Sequence, residues 1–275
     1  MDKVKAIITD LDGTILPSRG EVSKATVHCL EQLGQQGIVR VIATGRTLFA
    51  AFRALPPDFP IDYLIFSSGA GIMQWKDKKI IDSNHLSLEE TKEIADYLWN
   101  YNINFTIQRE IPDNHHFYYT DMYPVHKDYA KRLEVFQEFG SQIDNSSEIA
   151  SRSTQFLMIL DPQHLNLIEK IRLDLSGYSV IRASSPYDYK AIWIEIYPKN
   201  VNKGSSVRRL TEELGIRLDE CAGIGNDYND IDFLNICGQS FVVANAPDKL
   251  KAGYKTVASD ILEGFTEFVS KVIGE

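Results

Sequence analysis

The sequence predicts an α/β protein: a Rossmann-like open parallel sheet with a separate α+β domain inserted into it. Three observations predict this. Short unbroken apolar runs alternate with helical stretches from Val4 to Ser67. The pattern changes character between Asn84 and Tyr189. It then resumes from Ile192 to the C-terminal helix. Unbroken apolar strands separated by helices are the mark of a parallel sheet covered on both faces.

The elements follow in order. "VKAIIT" is a strand, and "SKATVHCLEQLGQQG" a helix with Ser23 as N-cap and Gly37 past its end. "IVRVIAT" is the second strand, the segment after Gly45 the second helix, and "IDYLIFS" the third strand. "GIMQWKDKKIID" reads as a hairpin with a charged turn. In the inserted block, Ser87 and Glu90 form a capping box ahead of "TKEIADYLWNY". "INFTIQRE", "HFYYT", "QFLMIL" and "YSVIRA" are strands, and "PQHLNLIEKIRLDL" is a helix with Asp161 as cap and Pro162 first. The parallel pattern resumes with "IWIEIY", then helix "KGSSVRRLTEELG", strand "CAGIG", helix "YNDIDFLNIC", strand "SFVVA" and a closing helix. The expected organisation is a discontinuous domain of residues 1–83 and 190–275 around an insert of residues 84–189.

Composition narrows the function. The 275 residues are 44% hydrophobic and 24% charged, as in soluble globular proteins. The net charge of −9 and the lack of a Lys/Arg stripe argue against nucleic-acid partners, and an acidic surface repels anionic membranes. No run approaches the ~18 apolar residues of a membrane span. "MDKVKAIITD" does not read as a signal peptide, because its apolar part is short and runs into acidic residues. Cys29, Cys221 and Cys237 are odd in number and far apart, and read as reduced thiols of a cytoplasmic protein.

In an open parallel sheet, function gathers at the carboxyl ends of the strands. The first strand is followed by Asp10, Asp12, Gly13 and Thr14, and the second by Thr44, Gly45 and Arg46. Lys203 stands after "IWIEIY" at the start of a helix, and Asn226, Asp227, Asn229 and Asp230 follow "CAGIG". Each piece alone has a plain reading: Asp-Gly is a common turn, Thr44-Gly45 a helix cap, Lys203 a surface lysine, "GNDYND" a capped helix start. Together, each behind an apolar strand, they are the inventory of a magnesium site facing a phosphate.

On these motifs the chain resembles the haloacid dehalogenase (HAD) superfamily of phosphohydrolases, in its Cof-like branch with a large type-2 α+β cap. "DLDGT" at Asp10–Thr14 is the most specific match. "ATGR" at Ala43–Arg46, "NVNKG" at Asn200–Gly204, "GIGNDYNDIDFL" at Gly223–Leu234 and the trailing "VVANAPDKLK" support it. The resemblance implies a magnesium-dependent phosphatase acting on a small phosphorylated metabolite, a sugar phosphate first among them. Asp10 is then the nucleophile that forms an aspartyl-phosphate, and Asp12 the general acid and base that also lends its backbone carbonyl to magnesium. Gly13 keeps bulk away from the phosphate. Thr44 and the Gly45 amide bind phosphoryl oxygens, and Lys203 offsets the charge of Asp10 and the phosphate. Asn229 is expected on the substrate side. Arg46 either reaches the substrate or braces the loop.

Two positions depart from the family pattern. The common form of the last motif is Gly-Asp-x-x-Asn-Asp, and Asn226 stands at its first Asp. Magnesium ligands are expected to be Asp10, Asp12, Asn226 and Asp230, with Asp227 the alternative to Asn226. Ser68 replaces an Asn that often follows the third strand.

The insert is expected to close over the site and choose the leaving group. Its aromatics Phe117, Tyr118, Tyr119, Tyr123, Tyr187 and Tyr189 either line the substrate pocket or pack the insert's own sheet, and His115 and His116 read as a loop. A phosphotransferase or phosphomutase on the same scaffold, and a binding protein weakened by Asn226, are the competing readings. A signalling receiver domain is disfavoured by length, and because the third strand ends in Ser67, Ser68 and Gly69 without an Asp. A monomer or homodimer in the cytoplasm is expected.

Overall fold

The computed structural model describes residues 3–18, 20–185, 187 and 190–274. The chain opens with β1 (Ala6–Thr9), α1 (Lys24–Gln35), β2 (Val39–Ala43), α2 (Leu48–Ala54), β3 (Tyr63–Phe66), β4 (Gly71–Gln74) and β5 (Lys79–Ser83). It continues with α3 (Leu88–Trp99), β6 (Phe105–Arg109), β7 (Phe117–Tyr119), α4 (Lys127–Phe136), β8 (Gly140–Gln142), β9 (Ser153–Leu160), α5 (Leu165–Asp174), β10 (Ser179–Ser184) and β11 (Ile192–Tyr197). It closes with α6 (Lys203–Glu213), β12 (Cys221–Gly225), α7 (Ile231–Leu234), β13 (Gln239–Val243), α8 (Asp248–Lys251), β14 (Lys255–Val257) and α9 (Gly264–Ile273). Two compact units result: Met1–Asp82 with Asn202–Glu275, and Ser83–Val201.

In the first unit the described strands form one sheet in the order β14-β13-β12-β1-β2-β3-β4-β5. Pairing is parallel from β14 to β3 and antiparallel from β3 to β4. β1 lies at the centre, with Thr9 opposite both Ile42 and Ile224. Ala6 and Ile8 pack with Val207, Leu210 and Phe233 beneath α6 and α7, while Ile7 and Ile42 are equally excluded from solvent. Burial from both sides explains the unbroken apolar runs. Ser23 caps α1 by accepting from the Thr26 amide, and Gly37 beyond the helix adopts φ 74°.

In the second unit the described strands form the sheet β10-β11-β9-β6-β7-β8. α3 and α5 cover it, burying Ile94, Leu98, Ile168 and Ile171 against Phe105, Phe156 and Ile194. The Ser87–Glu90 capping box is present. Asp161 precedes a 3-10 turn at Pro162–His164 but makes no side-chain capping bond, so α5 begins only at Leu165. Of the aromatics, Phe117 and Tyr118 are buried in the unit, Tyr187 packs against the Tyr129–Trp193 cluster, and Tyr123 is 91% exposed. Tyr189 lies outside the described residues.

The return to the first unit falls at Asn202 rather than at residue 190. β11 was expected in the parallel sheet, yet it pairs antiparallel with both β9 and β10. The physical reason is its double-sided burial. Ile192, Ile194 and Ile196 face the helix-covered core, while Trp193, Glu195 and Tyr197 on the other face are also buried. A strand buried on both faces loses the alternation that marks an antiparallel sheet.

Cys29, Cys221 and Cys237 form no disulfide, and burial pushes the Cys221 thiol up to about 12. No helix among the described residues is long and apolar enough to cross a membrane.

Candidate active site

Parallel strands end together, so the loops after β12, β1, β2 and β3 share one edge of the sheet. Asp10 leaves β1 with only 5% of its surface exposed. Its Oδ1 accepts from Lys203 Nζ at 2.7 Å, and its Oδ2 from the Thr14 hydroxyl at 3.2 Å. Lys203 does not follow a strand of this sheet. It is the first residue of α6, whose N-cap Asn202 accepts from the Ser205 amide at 2.7 Å. That cap fixes the first turn and aims the lysine inward, where it is 1% exposed.

Lys203 Nζ also donates to Asp230 Oδ1 at 2.7 Å. Asp230 Oδ2 accepts from the backbone amides of Asn226 and Asp227 at 2.8 and 2.9 Å. Both Asp230 oxygens are therefore engaged, one by the lysine and one by the loop. This also explains why the expected helix at Tyr228–Cys237 is only a 3-10 turn at Tyr228–Asp230 followed by α7. The loop wraps the carboxylate of Asp230, and at Gly225 a Cβ would collide with that side chain.

The charges do not balance within this cluster. Burial, then the neighbouring Asp230, raise the Asp10 carboxyl from its usual 3.8 to about 7, although Lys203 pulls the other way. Burial alone would lower Lys203, but Asp10 and Asp230 outweigh it and hold the ammonium above its usual value. The lysine is thus firmly charged, while Asp10 sits in a site with surplus negative charge.

Asp12 points elsewhere. Both its oxygens accept from Arg46, Oδ2 from Nε at 2.7 Å and Oδ1 from Nη2 at 2.6 Å. Asp12 is half-exposed, and the hydrogen bond to it holds the Arg46 guanidinium above its usual value. Arg46 Nη1 also donates to the Ala50 carbonyl of α2 at 3.3 Å, so the arginine ties the Asp12 loop to α2. Thr44 is buried, and its hydroxyl oxygen accepts from the Arg46 amide at 3.1 Å.

Gly13 has φ 75°, and a Cβ there would run into the Asn226 amide group. The missing side chain is what lets Asn226 lie against the Asp10–Thr14 loop. A Cβ on Gly45 would lie 3.4 Å from Ser68 Oγ and 3.9 Å from Asn229 Nδ2, so those two side chains border the space that Gly45 leaves open. Ser67 and Ser68 both adopt the left-handed region, at φ 50° and 51°, and both are fully buried. Two adjacent non-glycine residues in that region store strain, which collects at functional loops. α6 braces this loop, with Ser206 Oγ donating to the Gly69 carbonyl at 2.7 Å.

The structure thus brings Asp10, Thr14, Lys203 and Asp230 into one bonded cluster. Asp12 joins Arg46, Gly13 joins Asn226, and Gly45 lies near Asn229. Sequence reasoning missed Asn245, whose Nδ2 donates to the Gly13 carbonyl at 2.8 Å. His115 and His116, in the second unit, lie with tilted rings 4.4 Å apart and meet Phe139 edge-on. Among the described residues no group of three or more His, Cys, Asp and Glu is placed to hold a metal ion. The Asp10 carboxylate sits in surplus negative charge, and the Asn226 side-chain amide lies against Gly13 of the same loop. Carboxylate and amide oxygens are hard donors, and the surplus negative charge favours a cation. The residues present fit magnesium.

A central parallel strand delivers a buried, lysine-paired aspartate at its carboxyl end, which gives an α/β protein with an acidic cluster at one edge of its sheet. The sequence family described as haloacid dehalogenase-like hydrolase matches residues 7–263, and the chain belongs to that family. It is similar to HMP-PP phosphatase of Yersinia enterocolitica, 26% identical over 88% of this chain and 84% of the relative. It is also similar to the 5-amino-6-(5-phospho-D-ribitylamino)uracil phosphatase YwtE of Bacillus subtilis, 23% identical over 90% of each. The fold matches the crystal structure of SMU.1108c from Streptococcus mutans with a TM-score of 0.82 at 20% identity, covering 99% of this chain and 100% of that one. Family and relatives together make it a phosphatase of the HAD type.

Proposed function

We propose that this chain is a magnesium-dependent phosphatase for a small phosphorylated metabolite, with Asp10 as nucleophile. One observation carries the reading: Lys203, buried, pins Oδ1 of Asp10, while Asp12 stands two residues on with its carboxylate outside the cluster. Two aspartates on one loop in such different surroundings suit two different tasks.

Asp10 Oδ attacks phosphorus, an aspartyl-phosphate bond forms, and the bond from phosphorus to the leaving oxygen breaks. Asp12 gives that oxygen its proton. It then takes a proton from the water that cleaves the aspartyl-phosphate, and inorganic phosphate leaves. Both Asp12 oxygens are held by Arg46, so Asp12 must release at least one of them to hand over a proton. Lys203 offsets charge on Asp10 and the phosphoryl group, and Thr44 and the Gly45 amide position phosphoryl oxygens. Asn229 and Arg46 border the substrate side. Asp10, the Asp12 carbonyl and Asn226 would hold magnesium, with Asp230 supporting through Lys203 and the loop. When bound, the ion neutralises negative charge between carboxylate and phosphate.

The relatives named HMP-PP phosphatase and 5-amino-6-(5-phospho-D-ribitylamino)uracil phosphatase support a small phosphorylated metabolite as substrate; a sugar phosphate is the first class to screen. The test is hydrolysis of a chromogenic aryl phosphate with magnesium and with chelator, beside Asp10→Asn. Magnesium-dependent turnover that the substitution abolishes is expected. Turnover that survives Asp10→Asn would overturn the role of Asp10.

A further inference from the structure

The nucleophile loop has a brace that none of the roles above uses. Asn245 follows β13 and lies 232 positions from the residue it holds. Its Nδ2 donates to the Gly13 carbonyl at 2.8 Å, and its Oδ1 accepts from the Asp260 amide at 3.1 Å. The carbonyl of Gly13 and the amide of Thr14 belong to one planar peptide unit. On the opposite side that unit is held by the Thr14 amide, which donates to the Leu11 carbonyl at 3.3 Å. Fixing both ends fixes where the Thr14 side chain starts. Thr14 is 1% exposed, and its hydroxyl donates to Asp10 Oδ2.

The geometry points to Asn245 as a positioning residue for the nucleophile: through the Gly13–Thr14 peptide it sets the Thr14 hydroxyl that holds the second oxygen of Asp10. Lys203 holds one Asp10 oxygen from α6, and Thr14, braced by Asn245 from the loop after β13, holds the other. Gly13, at φ 75°, has no side chain to hold it, so its peptide is fixed by its amide, which donates to the Leu16 carbonyl at 2.7 Å, and by Asn245 at its carbonyl. The brace is itself anchored. The Asp260–Leu262 turn that feeds Asn245 is tied to the start of α1, where Ser23 Oγ donates to Glu263 at 2.8 Å.

The two halves of the amide can be separated by substitution. Asn245→Asp keeps an oxygen for the Asp260 amide but loses the donor to Gly13. Asn245→Ala loses both. A merely structural role, holding the Asp260 turn, is rescued by Asp; positioning through Gly13 is not.

The first measurement is hydrogen exchange of the full chain, which needs no activity and so stands apart from the phosphatase reading. Asn245→Asp is expected to speed exchange in residues 11–16 while leaving 258–264 as in the native chain, and Asn245→Ala to speed both. The second is kinetic and rests on the phosphatase reading. Both variants are expected to lose roughly tenfold in kcat, with KM within about twofold, as for a misplaced reacting group. Unchanged exchange in 11–16 for both variants, or native kcat in Asn245→Asp, would overturn the proposal. A native chain without turnover would count against the phosphatase reading alone, and the exchange result would still decide the brace.

Discussion

Lys203 stands 2.7 Å from Asp10 and 2.7 Å from Asp230, and all three are buried. One ammonium thus serves two carboxylates that would otherwise repel each other. Removing one member of such a buried group leaves charge uncompensated, which costs about 3–5 kcal/mol. Lys203→Met is therefore expected to lower unfolding stability by that order in urea at neutral pH. Loss of a charge aimed at the phosphoryl group also costs roughly 10²–10³ in kcat. A variant that unfolds normally and turns over within tenfold of the native chain would show that Lys203 does neither task.

The same cluster sets a pH dependence. Asp10 in the folded chain is raised to about 7 from 3.8, by burial and by Asp230. A raised carboxyl binds its proton more tightly folded than unfolded. Its contribution to stability is fully present below 3.8 and is lost as pH rises through about 7. Lys203 is raised too, and its contribution is lost only above its ordinary value of 10.5. In chelator, the melting temperature should therefore decline between pH 5 and 8 more steeply for the native chain than for Asp10→Asn. Magnesium added at pH 8 should restore it in the native chain and do little in the variant. Parallel declines in both proteins would remove Asp10 as the titrating group.

Arg46 holds Asp12 through two hydrogen bonds, and both side chains are partly exposed. Exposed pairs add little stability, about 0–1 kcal/mol, so Arg46→Ala should fold almost as well as the native chain. Its effect should fall on kcat, by roughly 10- to 100-fold, because Asp12 loses the fork that orients it. Arg46→Lys should fall between, since an ammonium cannot match both oxygens as a planar guanidinium does. An increase in KM with native kcat would instead assign Arg46 to substrate binding, the other role open to it.

Much of this was legible in the sequence because the chemistry lies directly behind strands. Asp10, Thr44 and Asn226 each follow a run whose end the parallel pairing brings to one edge, so reading the strands located the residues. Lys203 was found for an imperfect reason: the strand before it belongs to the second unit, and the N-cap Asn202 is what aims it. The strained Ser67 and Ser68 were invisible, because serine, unlike glycine or asparagine, gives no sign of a positive φ in sequence. Asn245 was invisible for a different cause. Its partner is a backbone carbonyl, which carries no residue identity, at the other end of the chain. The engagement of both Asp230 oxygens was hidden likewise, since two of its three bonds go to backbone amides.

The last motif offers the sharpest test of the magnesium reading. The Asn226 side chain lies against Gly13, beside the nucleophile, while the backbone amides of Asn226 and Asp227 both donate to Asp230. If Asn226 is the ligand, Asn226→Asp adds a full charge to the donor set. Oxygen sites gain cation affinity with ligand charge, so the variant should bind magnesium about tenfold more tightly by calorimetry at pH 8. Asp227→Asn should leave that affinity within about twofold, because it removes a charge that is not a ligand. The added carboxylate in Asn226→Asp also lies near Asp10, so without metal it should raise the Asp10 carboxyl further and lower stability above neutral pH. The two effects have opposite signs, and magnesium should reverse the second. Were Asp227→Asn to lose binding while Asn226→Asp left it unchanged, the ligand would be Asp227, and the loop would have to turn the other way around Gly225 to present it.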